Sequence, residues 1–186
     1  RLKRDTENLH YIRSVKRLLR EVSYCEGFYE YILSLNDLMQ DKRKYNAYIK
    51  ILYSTLKNID KSKNRLYYAR LLVLYGIGLM MSKKLGGSID ILKDAASIFE
   101  ELGEYRYLPQ VYNAIGTCYI DLFNDYTKSK EFFDKGLSIS LKINNQRYAH
   151  IIYNNIAEIY REQDEYGRAL DYYKQSLEIV KITQLR

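Results

Sequence analysis

Residues 112–119 read YNAIGTCY, and residues 153–160 repeat the same pattern as YNNIAEIY. A weaker copy, LVLYGIGL, occupies residues 72–79. Each copy has a small residue at its fifth position, and these residues are Gly76, Gly116 and Ala157. They lie 40 and 41 positions apart. A period of this length predicts stacked supersecondary units rather than one globular core.

A second small residue follows each copy, with an apolar residue four positions later, in Ser88-x3-Leu92, Ser129-x3-Phe133 and Ala169-x3-Tyr173. Apolar residues recur at helical spacing along nearly the whole chain. The predicted helices cover residues 5–23, 25–39, 42–59, 64–82, 86–102, 107–123, 126–143, 147–163 and 166–184. Gly103 suits the left-handed end of a helix, and Pro109 suits the first turn of the next one.

This pattern resembles the tetratricopeptide repeat, a helix–turn–helix unit with the signature W-x2-L-G-x2-Y…A-x3-F. The resemblance implies an all-α fold, a right-handed α-α superhelix of such repeats. It places repeats at 64–102, 107–143 and 147–184, a degenerate repeat at 25–59, and a capping helix or the end of a preceding repeat at 1–24. The long period of about 40 residues is similar to repeats of bacterial regulatory and sensor proteins. The residues that carry the packing are Gly76, Gly116, Tyr119, Ala157, Tyr160 and Ala169.

The C-terminal helix is expected to carry an apolar stripe through Ile179, Ile182 and Leu185. A helix pair cannot bury its apolar face alone, so something should cover this stripe. The two expectations are a following repeat in a longer protein, which is favoured, and a contact with another molecule.

Composition narrows the class of protein. The chain has 186 residues, one Pro and 21 Tyr, which argues against an all-β fold and against disorder. No stretch reaches the roughly 20 apolar residues of a membrane span. Cys25 and Cys118 stand far apart and predict buried thiols in a reducing compartment, so a cytoplasmic location is expected. The net charge of +7 concentrates in residues 41–70, and a solvated surface is favoured there over a binding role.

The resemblance also implies a binding surface, because ligands of such repeats commonly lie along the concave wall formed by the first helix of each pair. The residues at the corresponding positions are Arg70, Gln110, Asn113, Thr117, Asn154, Asn155, Glu158 and Arg161. An Asn amide offers a donor and an acceptor, so it can pair with the backbone of an extended peptide. An equally weighted interpretation is that these Asn side chains bond a neighbouring helix.

Catalytic motifs are missing from the sequence. His10 and His150 have no second ligand at metal-binding spacing, and a surface position is expected for His150. There is no phosphate-binding glycine loop and no nucleophile elbow. We therefore expect no enzymatic activity in this chain, no metal and no cofactor.

The leading hypothesis is a protein- or peptide-binding module, the sensory or docking segment of a larger bacterial signalling protein whose output domain lies in the same polypeptide. One alternative is a receptor for a short signalling peptide, similar to quorum-sensing regulators. The other is a binder of nucleic acid or of an acidic surface through residues 41–70, which the composition disfavours. The sequence does not identify the partner.

Overall fold

A computed structural model describes residues 45–82 and 87–184 of the chain. These residues form seven α-helices and no strand. The helices are α1 (Tyr45–Asn58), α2 (Arg65–Met81), α3 (Ser88–Glu101), α4 (Leu108–Phe123), α5 (Tyr126–Lys142), α6 (Gln146–Glu162) and α7 (Tyr166–Gln184). The predicted helices 5–23 and 25–39, the predicted cap and most of the degenerate repeat lie outside the described residues. The chain divides into two compact units, residues 1–91 and 92–186.

In the first unit, α1 packs against α2. Helix α1 is amphipathic and buries Tyr48, Leu52 and Leu56 on one side. Helix α2 is apolar around most of its circumference, as its sequence RLYYARLLVLYGIGLMM shows, and eight of its residues are buried, Gly76 among them. A helix that is apolar all round is one that has neighbours on several sides.

In the second unit, α4 pairs with α5 and α6 pairs with α7, and α5 also packs against α6. Phe133 of α5 packs with Ile152, Ile156 and Ile159 of α6 in a buried cluster. Where α4 and α5 cross, a small residue allows the two helices to pack closely. A Cβ atom added to Gly116 would lie 2.5 Å from Cε1 of Phe133, closer than side-chain atoms pack.

Three helices, α3, α5 and α6, end in the same way. Gly103, Asn144 and Asp164 have φ values of 69°, 55° and 60°. After each, the next backbone N–H donates to a carbonyl five residues earlier, as from Asn145 to Ser140 at 2.7 Å. This is the Schellman arrangement, which satisfies carbonyl groups that the helix end leaves without partners.

Between Tyr119 and the start of α5 the chain has one residue more than between Tyr160 and the start of α7. Helix α4 takes up this residue, so the connection after α4 has two residues where those after α5 and α6 have three. Asn124 has the positive φ of 51° there.

From α2 onward, the helix boundaries agree with the sequence-based predictions within two residues. Pro109 stands in the first turn of α4, where its missing N–H leaves no helical bond unmade. A single 3-10 turn at Tyr105–Tyr107, which the sequence did not predict, leads into α4. Asp125 and Asn145 cap α5 and α6, since their side chains accept from the backbone N–H groups of Lys128 and Tyr148.

Candidate functional site

The predicted binding residues of the second unit lie on two first helices, α4 and α6, which contact each other directly. We call this surface the asparagine face. Its members are Gln110, Asn113 and Thr117 of α4 with Asn154, Asn155, Glu158 and Arg161 of α6. Separations of three, four and seven place Gln110, Asn113 and Thr117 along one side of α4. Asn154, Glu158 and Arg161 share one side of α6 in the same way, and Asn155 lies next to Asn154. The five members other than Glu158 and Arg161 are half-buried.

The two helices are joined by a hydrogen bond between amides. Asn155 Nδ2 donates to Asn113 Oδ1 at 2.7 Å, across 42 residues of sequence. The bond uses one polar atom of each amide. Among the described residues, Asn113 Nδ2 and Asn155 Oδ1 have no hydrogen-bond partner. Whichever amide donates, the pair presents one N–H donor group and one carbonyl acceptor beside each other.

The hydroxyl of Thr117 is turned toward its own helix. Its Oγ1 donates to the backbone carbonyl of Asn113 at 3.0 Å. This i to i−4 bond leaves the hydroxyl oxygen able to accept a further hydrogen bond. The Thr117 hydroxyl therefore donates within its own helix and adds no free donor to the asparagine face.

Glu158 and Arg161 pair with each other. Arg161 Nε donates to Glu158 Oε2 at 2.8 Å, and the guanidinium also contacts Glu162. The Tyr173 hydroxyl donates to Glu158 as well. That hydroxyl, followed by the guanidinium, holds the pKa of the Glu158 carboxyl below its ordinary value of 4.5. The pairing neutralises the charges that a ligand would otherwise meet at this end of the asparagine face.

The repeat pattern predicts Tyr173 only as an apolar packing residue. In the structure its hydroxyl group takes part in this site. Tyr173 follows the small residue Ala169 by four positions, as Phe133 follows Ser129, and the repeat pattern therefore reads it as an aromatic filler. The difference from Phe133 is one hydroxyl group, and that hydroxyl bonds Glu158. Comparing the two repeats position by position is the signal that could have found it.

Arg70 lies on α2 in the first unit, whereas the other predicted binding residues lie in the second. Its guanidinium lies 5.5 Å from the centre of the Tyr67 ring on the same helix, α2. A cation at this distance from an aromatic face is attracted by the ring.

Several lysines of the basic segment 41–70 contact aromatic rings or a carboxylate within the first unit. Lys57 lies over the Tyr53 ring at 4.7 Å, and Lys61 lies over the Tyr68 ring at 4.9 Å. Lys63 pairs with Asp60 at 3.8 Å. Lys42, Arg43 and Lys44 lie outside the described residues. The segment therefore includes lysines that pack on tyrosine rings of their own unit.

His150 is half-buried rather than on the surface, which corrects the expectation from sequence. Its Nδ1 atom lies 2.5 Å from Oγ of Ser176, which is buried in α7. The same hydroxyl donates to the His150 carbonyl at 3.2 Å. The contact joins α6 to α7, and the sequence could not show it because 26 residues separate the two side chains.

An open cavity of about 520 Å³ lies in the second unit, away from the asparagine face. It is lined by Glu100, Tyr112, Glu131, Asp134, Lys135, Ser138 and Ile139. The Tyr112 hydroxyl donates to the Glu100 carboxylate, and burial together with this bond raises the pKa of Tyr112. Within the described residues no group of three or more His, Cys, Asp or Glu side chains is placed to hold a metal ion.

Comparison with known proteins agrees with the helical repeat fold. Residues 109–143 and 151–179 match the family model "Tetratricopeptide repeat", so these two segments, about a third of the chain, are tetratricopeptide repeats. No curated protein sequence matches the chain. None of the described helices has the length and apolar content needed to cross a membrane.

Solved structures share the fold at low sequence identity. The apo form of RapI has a TM-score of 0.78 at 16% identity, covering 95% of this chain and 64% of RapI. BtubC from P. vanneervenii has a TM-score of 0.73 at 16% identity, covering 90% of this chain and 71% of BtubC. MamA has a TM-score of 0.66 at 20% identity, covering 94% of this chain and 90% of MamA. These likenesses confirm the predicted all-α repeat fold class, and the chain spans about two thirds of the length of RapI.

Proposed function

We propose that this chain is a protein- or peptide-binding scaffold whose asparagine face holds an extended peptide segment of its partner. The observation that carries the proposal is the Asn155–Asn113 bond, which leaves an amide N–H group and a carbonyl oxygen side by side. A peptide unit offers one carbonyl and one N–H group of its own. The two sets are complementary, whatever side chains the peptide carries.

The charges nearby favour backbone recognition over capture of a terminal carboxylate. Arg161 is the cationic member of the asparagine face in the second unit, and it is already paired with Glu158 and Glu162. A carboxylate ligand would have to displace these two anions and would meet their repulsion. A neutral stretch of backbone does not disturb them.

The finer form of the proposal is a sensory or docking segment of a larger bacterial regulatory protein, in which binding biases a separate output domain. The two tetratricopeptide repeats and the structural likeness to RapI support this form. A receptor for a short signalling peptide is the narrower version of the same idea, because it uses the same face. We place this chain's activity in binding rather than in catalysis.

The variant Asn113→Asp tests the proposal without removing the bond between the helices. A carboxylate at position 113 still accepts from Asn155 Nδ2, but it replaces the outward amide donor by a second acceptor. Binding of short peptides selected from a random library on the full chain should weaken at least tenfold. The matched control is Asn58→Asp, which changes an exposed Asn on α1. Far-ultraviolet circular dichroism checks that both variants remain helical.

Two results would count against the proposal. One is a library screen on the wild-type chain that yields no saturable ligand. The other is a selected peptide that binds the Asn113→Asp variant and the Asn58→Asp control equally well.

A further inference from the structure

The two described helices of the first unit carry an excess of positive charge. Between residues 45 and 82 there are six basic residues and a single acidic one, Asp60. The Asp60 carboxylate is engaged in the turn between α1 and α2. Its Oδ1 atom accepts from the backbone N–H of Ser62 at 3.0 Å, and its Oδ2 atom lies 3.8 Å from Nζ of Lys63. The other five cations therefore have no further carboxylate on these two helices.

Three tyrosines lie among these cations on one side of the helix pair. On α1, separations of three and four residues place Tyr53 on the same side as Lys50 and Lys57. On α2, Tyr68 and Tyr75 are seven residues apart and share a side of the helix. The ring centre of Tyr75 lies 6.0 Å from that of Tyr53, so the two sets form one surface. We call this surface the tyrosine–lysine face, and its members are Lys50, Tyr53, Lys57, Lys61, Tyr68 and Tyr75.

Two lysines of this face lie over its aromatic rings. Lys57 Nζ is 4.7 Å from the centre of the Tyr53 ring, and Lys61 Nζ is 4.9 Å from the centre of the Tyr68 ring. Both lysines are exposed, and Tyr53 is 47% exposed. A cation over an exposed ring is held weakly, so it leaves the ring when a stronger partner arrives. Each pair therefore offers a flat aromatic surface and a positive charge that can turn away from it.

We infer that the tyrosine–lysine face binds single-stranded nucleic acid. Such a strand supplies both a negative charge at every phosphate and a flat aromatic surface at every base. A base stacked on a tyrosine ring is held more strongly than the lysine that it displaces. The displaced lysine then pairs with the adjacent phosphate. The sequence alone favours solvated charges in this segment, because it does not show that the rings and the cations share one surface.

Other polyanions match only part of this surface. An acidic peptide supplies carboxylates without a series of flat bases, and a duplex holds the faces of its bases inside its own stack. Both would use the lysines and leave the tyrosine rings without a role. The inference is independent of the peptide-binding proposal, because the asparagine face lies on α4 and α6 of the second unit.

The test measures the binding of a labelled oligouridylate of about 12 nucleotides to the full chain by fluorescence anisotropy at low salt. Saturable binding is expected. Tyr53→Leu should weaken it about fivefold or more, because a stacking ring is lost. Replacing Lys57 and Lys61 together by Gln should reduce the slope of log K against log salt concentration by about 1.4, since each phosphate contact to a single strand contributes about 0.7.

The second unit provides matched controls. Tyr105 is 53% exposed there, and Lys128 and Lys135 also lie over aromatic rings. Tyr105→Leu should bind the oligouridylate like the wild type. The double variant Lys128→Gln with Lys135→Gln should show the same affinity and the same salt dependence as the wild type. Circular dichroism verifies that each variant remains helical.

Three outcomes would overturn the inference. The first is no saturable binding of the oligouridylate to the wild-type chain. The second is a loss of affinity in the control variants equal to that in the variants of the tyrosine–lysine face. The third is undiminished binding by Tyr53→Leu together with equally tight binding of a double-stranded RNA of the same length, which would show a surface that recognises charge alone.

Discussion

Replacing Gly116 by alanine should destabilise the protein, although alanine is the better helix former. A Cβ at this position would lie 2.5 Å from Cε1 and 2.6 Å from Cδ1 of Phe133. The ring cannot move aside easily, because Phe133 is only 1% exposed and packs on the isoleucines of α6. Overpacking of this kind costs about 1–3 kcal/mol. With so close an approach we expect about 2–3 kcal/mol before any compensation.

The helical preference of alanine offsets about 1 kcal/mol of this cost. The expected net loss in the free energy of unfolding is therefore about 1–2 kcal/mol. For a chain of this length it corresponds to a fall in Tm of about 2–8 °C. Urea unfolding followed by far-ultraviolet circular dichroism measures the loss. An unchanged m-value shows that the variant and the wild type expose the same amount of surface on unfolding.

Gly167 supplies the matched control, because nothing lies within 4 Å of a Cβ placed there. Gly167→Ala should leave stability unchanged or raise it by up to about 1 kcal/mol. Adding Phe133→Leu to Gly116→Ala should give a loss smaller than the sum of the two single losses, since the clashing ring is gone. A Gly116→Ala variant as stable as the wild type, with the same m-value, would refute this account of the α4–α5 crossing.

Two further predictions concern single contacts. Asp125→Ala removes the side-chain acceptor for the Lys128 N–H at 2.9 Å and should cost about 1 kcal/mol in urea unfolding, whereas an unchanged midpoint would show that the cap contributes nothing. Glu158 has a folded pKa lowered by the Tyr173 hydroxyl and by Arg161, so its contribution to stability is present above its unfolded value of 4.5 and is lost as the pH falls through the folded pKa. Glu158→Gln should therefore lower stability at neutral pH and make no difference in strong acid, and a difference independent of pH would contradict this assignment.

The repeat architecture could be predicted from the sequence because its determinants are local. The small residues in register, the position of Pro109 and the left-handed turn at Gly103 each act over a few neighbouring residues. The extra residue between Gly116 and Ser129 was visible as a shift in spacing relative to the other repeats. Helix periodicity then fixes which residues share a side of a helix.

The contacts of the candidate site could not be predicted in the same way. Asn155 meets Asn113 across 42 residues, and the geometry of that bond depends on how two helices cross. The sequence left open whether the Asn side chains bond a helix or a ligand, and the structure shows a bond that uses half of each amide. The mutual pairing of Glu158 and Arg161 was likewise missed, because it depends on rotamers rather than on spacing.

The Schellman turns have a consequence for how this chain can change. Each Schellman turn requires one residue with a positive φ and places almost no requirement on its side chain. Glycine, asparagine and aspartate therefore occupy this position, as Gly103, Asn144 and Asp164. An L-residue in that conformation is strained by about 1 kcal/mol, which glycine avoids. Any residue that tolerates a positive φ can therefore serve at these turns. Asn144 is a position where glycine would make the folded protein more stable.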